Sequence, residues 1–433
     1  MVESSHKQSY QGSFIMPVFY CGIDFGTSNS SVAVASAQTQ PELVAVENSH
    51  TSIPSSIFYS GDQSPLFGRA AVRAYISGRE GRLMRSLKRV LGTDLMSAGT
   101  TINGRTARFE NILAQFIGYL KSAAENAAGQ PIEAVVMGRP VCFRDNDPQG
   151  DLRAQKELEA VARSVGFKQI VFQFEPIAAA FAHESAVSGE KLACVIDIGG
   201  GTSDFSIIRV GASLASKTDR SDDILAYSGI RIGGNDFDKN LSIAAFMPEL
   251  GLRTAYGAKS LPVPTAPYYD LSEWSKVNSV YTYATRKMIR EILAEAHQPV
   301  LYGRLQEVVE NEKGHELLGL AEQAKIDLTL APEILSQLHF LSEKPQLKIC
   351  RKEFEQSINA DLERISQTAD ECLKSAGILA SQIELVILTG GSTFIPAVQS
   401  ALCRCFPQAA VSGTDKLCSV GLGLGYDSLR SFV

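Results

Sequence analysis

Cysteine pairs, basic clusters and long apolar runs are what this sequence does without. None of its eight cysteines forms a CxxC pair, and Cys403-x-Cys405 has no histidine or second cysteine pair beside it. A zinc module, which gathers its ligands at close spacing, is therefore not expected. No apolar run approaches the roughly 18 residues that a membrane span needs, so no membrane partner is expected. Lysine and arginine number 41 against 47 acids, a formal charge of −6, which argues against a nucleic-acid partner. The basic residues that do gather, at 79–89, are expected to lie on a solvated helix face, with Lys88 set apart below. There is no GxxxxGK[ST] loop, and "GLGLG" at 421–425 lacks the spacing and strand context of a dinucleotide site. Tryptophan occurs once, at Trp274. The opening "MVESSHKQSYQGSFIM" has acids and polar residues where a secretory signal would be basic and then apolar, so 1–17 is expected to be a loose tail. Apolar-flanked cysteines such as Cys21, Cys194 and Cys372 read as small buried hydrophobes, which suits a reducing cytoplasm.

What is present is an ordinary core-forming composition, 45% hydrophobic and 20% charged, over 433 residues. That length exceeds what one core sustains, so two large lobes are expected. The pattern alternates strands and helices. Strands are expected at 18–24, "LVAVEN", "SSIFYS", 132–143 and 168–175, and helices at 69–92, 111–129, 150–165 and from Pro176. The opening then restarts, with strands at 192–198 and 204–210. A strand, Gly-Gly turn and helix follow at 229–247, then an irregular stretch at 248–280. Helices are expected at 284–297, 300–312, 315–328 and 352–376, then strand–turn–helix at 383–406 and a closing helix at 419–432. This is an α/β protein whose two halves begin alike.

The repeat itself carries the chemistry. "CGIDFGTSNSSVAV" at 21–34 and "CVIDIGGGTSDFSI" at 194–207 share Cys, Ile, Asp and Gly at matching places. A glycine turn after a strand can adopt positive φ and bring bare N–H groups to a phosphate, and neighbouring Ser and Thr hydroxyls add donors. Asp24 and Asp197, aimed at the same phosphates, would be repelled unless a cation such as Mg²⁺ lay between. Either hairpin alone is also compatible with an ordinary Gly- and Asp-rich β-turn. Two facing hairpins would form a clamp for a polyphosphate.

At this point the residues carry a resemblance. "IDFGTSNSSVAV", "SLKRVLG", "EPIAAAF", "VIDIGGGTSDFSI", "RIGGNDFDKNL", "EQAKIDLT" and "LTGGSTFIPAVQ" occur in an order that resembles the nucleotide-binding domain of DnaK-type heat-shock chaperones. These belong to the actin-like ATPase superfamily. "VVMGRPVCF" and "RIGGNDFD" resemble the YegD-type subgroup.

The resemblance implies an actin-like ATPase fold, two similar ribonuclease-H-like lobes around a nucleotide cleft. The lobes would be 18–191 plus 412–433, with an outer subdomain at about 56–109, and 192–411, with an outer subdomain at about 240–330. It implies ATP or ADP with Mg²⁺, held through water by Asp24 and Asp197. Gly26, Thr27, Ser28, Asn29, Gly199, Gly200, Gly201 and Thr202 would cradle phosphates. Lys88 would position the attacking water, and Glu175, Asp197, Thr202 and Asp204 would complete the catalytic set. Gly233, Gly234, Glu322, Lys325, Thr329, Gly390, Gly391, Ser392 and Phe394 would surround ribose and base.

Three positions depart from the family pattern: Ile326 and Phe394, where arginines usually flank the adenine, and Asn29, where the family often has tyrosine. The chain ends soon after the closing helix, so no peptide-binding domain is expected. A client or co-chaperone would then meet another surface, for example 248–280 with Tyr268, Tyr269 and Trp274. A monomeric chaperone-like ATPase is the leading reading. A small-molecule kinase of the same superfamily and a non-catalytic nucleotide-gated scaffold are the alternatives.

Overall fold

The computed structural model describes residues 18–433 apart from 62–63, 103, 145–146, 185–186, 215–216, 218 and 413–418. The tail expected at 1–17 lies outside the described residues. Two sheets organise the rest. The first holds β1 (Phe19–Phe25), β2 (Asn29–Ser36), β3 (Thr39–Leu43), β4 (Ala134–Arg139) and β5 (Gln169–Phe174), in the order β5-β4-β1-β2-β3. The second holds β6 (Lys191–Ile198), β7 (Ser203–Val210), β8 (Ile224–Ile230), β9 (Leu385–Thr389) and β10 (Ala410–Ser412), in the order β10-β9-β6-β7-β8. The order is the same, and so is every direction. β1–β2–β3 and β6–β7–β8 are antiparallel meanders, while β4 and β5, like β9 and β10, run parallel to the opening strand. The duplication foreseen from two short hairpins thus extends over both lobes.

The opening strands are apolar on both faces, as strands covered on both sides must be. The helix Phe109–Ala128 lays Ile112, Leu113, Phe116, Ile117 and Leu120 on the first sheet. Helix Pro148–Ser164 starts with proline in its first turn, and Asp147 accepts a hydrogen bond from the Gly150 amide at 2.9 Å to cap it.

Two helices, Glu175–Glu184 and Ser419–Phe432, cross between the sheets. Ile177, Ala180, Val195, Ile208, Ile387, Val420 and Leu424 form a shared core there. The "GLGLG" run sits inside the second of these helices, and close packing explains it. A Cβ on Gly423 would lie 1.8 Å from the Ala178 carbonyl oxygen, and one on Gly421 would lie 2.2 Å from Ser31 Oγ.

At the closed end of the cleft a buried ion network ties the lobes together. The Arg220 guanidinium donates to both Glu184 carboxylate oxygens, at 2.8 and 3.2 Å, and also to Asp223. Arg430 and Asp427 of the closing helix pair beside it at 3.4 Å.

The structure corrects three local expectations. Residues 69–92 are not one helix. The helix Gly68–Ile76 ends before Gly78 and Gly81, whose φ values of +75° and +155° break it, and Arg82–Arg85 then pairs with Ser56–Tyr59 as a strand. The arginines of 79–89 therefore do not share a solvated helix face. "LVAVEN" is not a strand beyond Leu43, because the third strand ends there and the chain turns through Glu47 and His50. Residues 352–376 divide at Ile358 into the helices Arg351–Ser357 and Asn359–Ala376. No helix among the described residues is long and apolar enough to cross a membrane.

Candidate functional site

Matching strands place matching carboxylates. Asp24 and Asp197 are the penultimate residues of β1 and β6, so both stand where the sheets end at the cleft. Glu175 opens the helix that follows β5. Lys88 comes from outside the sheets, on the tight turn Leu87–Val90, which Ser86 enters with φ +54°. That turn delivers a buried ammonium whose Nζ donates to Glu175 Oε1 at 2.5 Å. Thr202 Oγ1 donates to Asp204 Oδ2 at 2.9 Å.

The electrostatics follow from crowding. Burial, together with Glu175 and against the pull of Lys88, raises Asp24 to about 7. Burial, then Asp204, Glu175 and Asp24, raises Asp197 to about 8, again opposed by Lys88. Burial alone would lower Lys88, but Glu175, Asp24 and Asp197 outweigh it, and the ammonium titrates above its ordinary value. Three carboxylates, Glu175, Asp24 and Asp197, thus share one lysine. Such a donor set suits a hard divalent cation with oxygen ligands. Among the described residues, no group of three or more His, Cys, Asp or Glu side chains is placed so that it could hold a metal ion by itself. A cation here would fill its shell with water and ligand oxygens.

The glycine hairpins face one another. A Cβ on Gly200 would lie 2.3 Å from Ser28 Oγ of the other lobe. On Gly26 it would lie 2.1 Å from the Asn29 carbonyl oxygen. The expected positive φ does not occur at Gly26, Gly199, Gly200 or Gly201. At Gly26 and Gly200 glycine is required for space, whereas an added Cβ at Gly199 or Gly201 would meet nothing closer than 3.9 Å. Gly390 does take φ +82°, and its Cα lies against Ile198 and the Asp197 carboxylate. Ser55 braces the first hairpin by donating to the Gly26 carbonyl at 2.7 Å.

Gly233 and Gly234 are buried behind the 199–201 loop. The Gly234 and Asn235 amides donate to the Gly199 and Gly200 carbonyls at 2.9 and 2.7 Å, so this pair supports the loop from behind. Ser392 Oγ donates to the same Gly199 carbonyl at 3.3 Å. Lys325 joins them through the Gly234 carbonyl, 3.3 Å away, and pairs with Asp238 at 2.8 Å. Burial raises Asp238 to about 6 against the pull of Lys325, and Glu322 adds to the rise. Thr329 spends its hydroxyl on the Lys325 carbonyl, 3.0 Å away. Ile326 and Phe394 are exposed, as is Gly391. Thr27 is half-buried on the first turn.

The family model described as Hsp70 protein matches residues 20–250 and 302–424, most of the chain and both hairpins. The chain belongs to the Hsp70 family. An actin-like, Hsp70-type ATPase domain with an adenine-nucleotide site follows from that membership.

Sequence reasoning missed several residues of this Hsp70 domain's cleft. Arg89 follows Lys88 on the same turn, and its Nη2 lies 3.9 Å from where a Gly201 Cβ would stand. Arg85 lays its guanidinium 4.6 Å from the Trp274 ring centroid, and His315 and Tyr75 complete a contact between the outer parts of the lobes. Trp274 is thus engaged across the cleft, and Tyr268 is fully buried, while Tyr269 is exposed. The available signal for Arg89 was its adjacency to Lys88 in "SLKRVLG". Two open depressions of about 600 and 680 Å³ lie elsewhere, on the outer faces of the two lobes, and gather none of these residues.

Proposed function

We propose that this Hsp70-family chain is a YegD-type, DnaK-like ATPase that binds Mg·ATP between its two glycine hairpins and hydrolyses it slowly. Its lobes would be 18–191 plus 412–433 and 192–411, acting as a cytoplasmic monomer. Nucleotide-dependent closure would change the surface offered to a client or co-chaperone. The observation that carries the reading is the buried Lys88–Glu175 pair set among Asp24, Asp197 and Asp204, beside two facing backbone cradles.

Asp24 and Asp197 would hold Mg²⁺ through water, and the ion would supply charge neutralisation at the phosphates. Gly26, Thr27, Ser28, Asn29 and Gly199–Thr202 would line the phosphates, with Gly200 leaving room beside Ser28. Glu322, Lys325, Thr329, Gly390, Gly391, Ser392 and Phe394 would border the ribose and base, with Gly233 and Gly234 beneath.

Hydrolysis breaks the bond between the γ-phosphorus and the β,γ-bridging oxygen as water adds, releasing ADP and phosphate. In that step Lys88 would position the water and offset charge on the terminal phosphate, while Glu175 and Asp204 orient the water and accept hydrogen bonds from it. Positioning and fixed charge are what phosphoryl transfer asks of a protein.

The test is equilibrium ATP binding and single-turnover hydrolysis with Mg²⁺, comparing the parent with Lys88→Ala. Binding is expected in both, with hydrolysis reduced about 100-fold or more in the variant, the scale of losing one preorganised charge. Binding without hydrolysis in the parent would favour the nucleotide-gated scaffold. No ATP binding at all would overturn the assignment.

A further inference from the structure

Three cations surround the loop Gly199–Thr202, and two of them are already committed. Lys88 is paired with Glu175 at 2.5 Å and Lys325 with Asp238 at 2.8 Å. Arg89 is exposed, makes no ion pair with any described residue, and yet brings Nη2 to 3.9 Å from the Cβ position of Gly201. It belongs to the first lobe, while Gly201 belongs to the second. Its turn is held rigidly, because the Arg89 amide donates to the Ser86 carbonyl at 3.0 Å and the Leu91 amide to the Lys88 carbonyl at 3.3 Å. Leu87, Lys88 and Val90 of the same turn are buried, which fixes the direction in which Arg89 projects.

We infer that Arg89 is a binding residue for the terminal phosphate, reaching from the first lobe to a phosphate seated on the Gly199–Thr202 loop of the second. The inference rests on the proposed function and deepens it. A triphosphate brings several negative charges into a cleft that already holds Asp24, Glu175, Asp197 and Asp204. An uncommitted guanidinium can contribute charge-assisted, two-pronged hydrogen bonds without first breaking an internal pair. Because the contact spans the cleft, it is stronger when the lobes are closed. By linkage, a ligand that carries the terminal phosphate therefore favours closure, and one that lacks it does not. Arg89 would thus separate ATP from ADP in affinity as well as in chemistry.

The experiment measures, by calorimetry with Mg²⁺, the affinities of ADP and of the non-hydrolysable β,γ-imido analogue of ATP. The proteins are the parent, Arg89→Ala and Arg89→Lys. Arg89→Ala is expected to weaken the triphosphate analogue about ten-fold or more, the worth of one charged hydrogen-bonded contact, and ADP by less than about two-fold. Arg89→Lys should recover part of the loss, since it restores a point charge without the fork. Emission from Trp274, the only tryptophan, offers a second readout, because its ring lies in the contact between the lobes. The parent should respond more to the triphosphate analogue than to ADP, and Arg89→Ala should narrow that difference.

An unchanged ratio of the two affinities in Arg89→Ala overturns the inference and leaves the proposed function standing. Equal weakening of both ligands places the guanidinium on the inner phosphates and also overturns it. If the parent itself binds neither nucleotide, the proposed function falls and the inference falls with it.

Discussion

At the scale of single residues, the cleft is built against its own stability. Asp24, Glu175 and Asp197 gather around Lys88, with Asp204 paired opposite Asp197, and burial and mutual repulsion hold Asp24 and Asp197 far above the ordinary carboxylate range. A fold does not collect like charges without a use for them, and perturbed carboxylates facing a cleft point to ligand chemistry. Asp197→Asn removes one member of the cluster while keeping its shape. It is expected to raise the melting temperature of the ligand-free protein and to lower Mg·nucleotide affinity by at least about ten-fold, the loss of one charged contact. Thermal unfolding and calorimetry on the same preparation check both signs. A variant that is both less stable and undiminished in binding would show that Asp197 is a structural carboxylate. The two aspartates were legible in the sequence because each follows a buried strand in a repeated hairpin. Arg89 was not, since nothing in a run of basic residues says which one crosses a cleft.

At the scale of elements, glycine position separates what could be read from what could not. The hairpins announced themselves because strand, aspartate and glycine recur in order. The topology behind them, β5-β4-β1-β2-β3 repeated as β10-β9-β6-β7-β8, could not be read directly, because strand neighbours depend on contacts far apart in the chain. The segment 69–92 misled because its apolar spacing is helical on both sides of Gly78 and Gly81, and only pairing with Ser56–Tyr59 makes 82–85 a strand. "GLGLG" was legible by contrast: without the spacing and strand context of a ligand loop it reads as part of the closing helix, and there its glycines form the thin face that crosses another helix between the two sheets.

That packing predicts opposite signs for the same substitution. Gly423→Ala would drive a methyl to 1.8 Å from the Ala178 carbonyl oxygen, where backbone must move, at a cost of about 2 kcal/mol or more. Gly303→Ala, inside the helix Pro299–Glu310 with open space around the added carbon, should stabilise by about 0.5–1 kcal/mol. Denaturant titration of the two variants checks the pair, and equal effects would contradict the packing account.

At the scale of the whole molecule, the lobes are joined at two levels. The closed end of the cleft is fixed by the shared apolar core and by Arg220, buried with Glu184 and Asp223, where a pair can be broken only at the cost of a bare charge. The outer level is a small aromatic contact. The Tyr75 hydroxyl and His315 Nε2 are 2.8 Å apart, Trp274 lies 5.4 Å from the His315 ring, Arg85 covers Trp274, and Asn278 reaches the Tyr75 hydroxyl at 3.4 Å. Arg85 stands three residues before Lys88, so this outer contact and the Lys88 turn lie on one short strap. Burial lowers His315 to about 4 from an ordinary value of 6.5, which keeps the imidazole neutral between its aromatic neighbours. The sign of the pH dependence follows. Between about 6.5 and 4 the unfolded chain binds a proton at His315 that the folded chain refuses, so stability falls as pH falls through that window. His315→Gln removes this contribution, and its stability should decline less steeply than the parent's from pH 6.5 to 4. Trp274 emission should change in the parent near pH 4 as the ring is protonated beside it, with far-ultraviolet circular dichroism unaltered at the start of the change. Parallel stability curves for the two proteins would mean that the outer contact carries no proton linkage, and that the lobes are held together at the core and the Arg220 network alone.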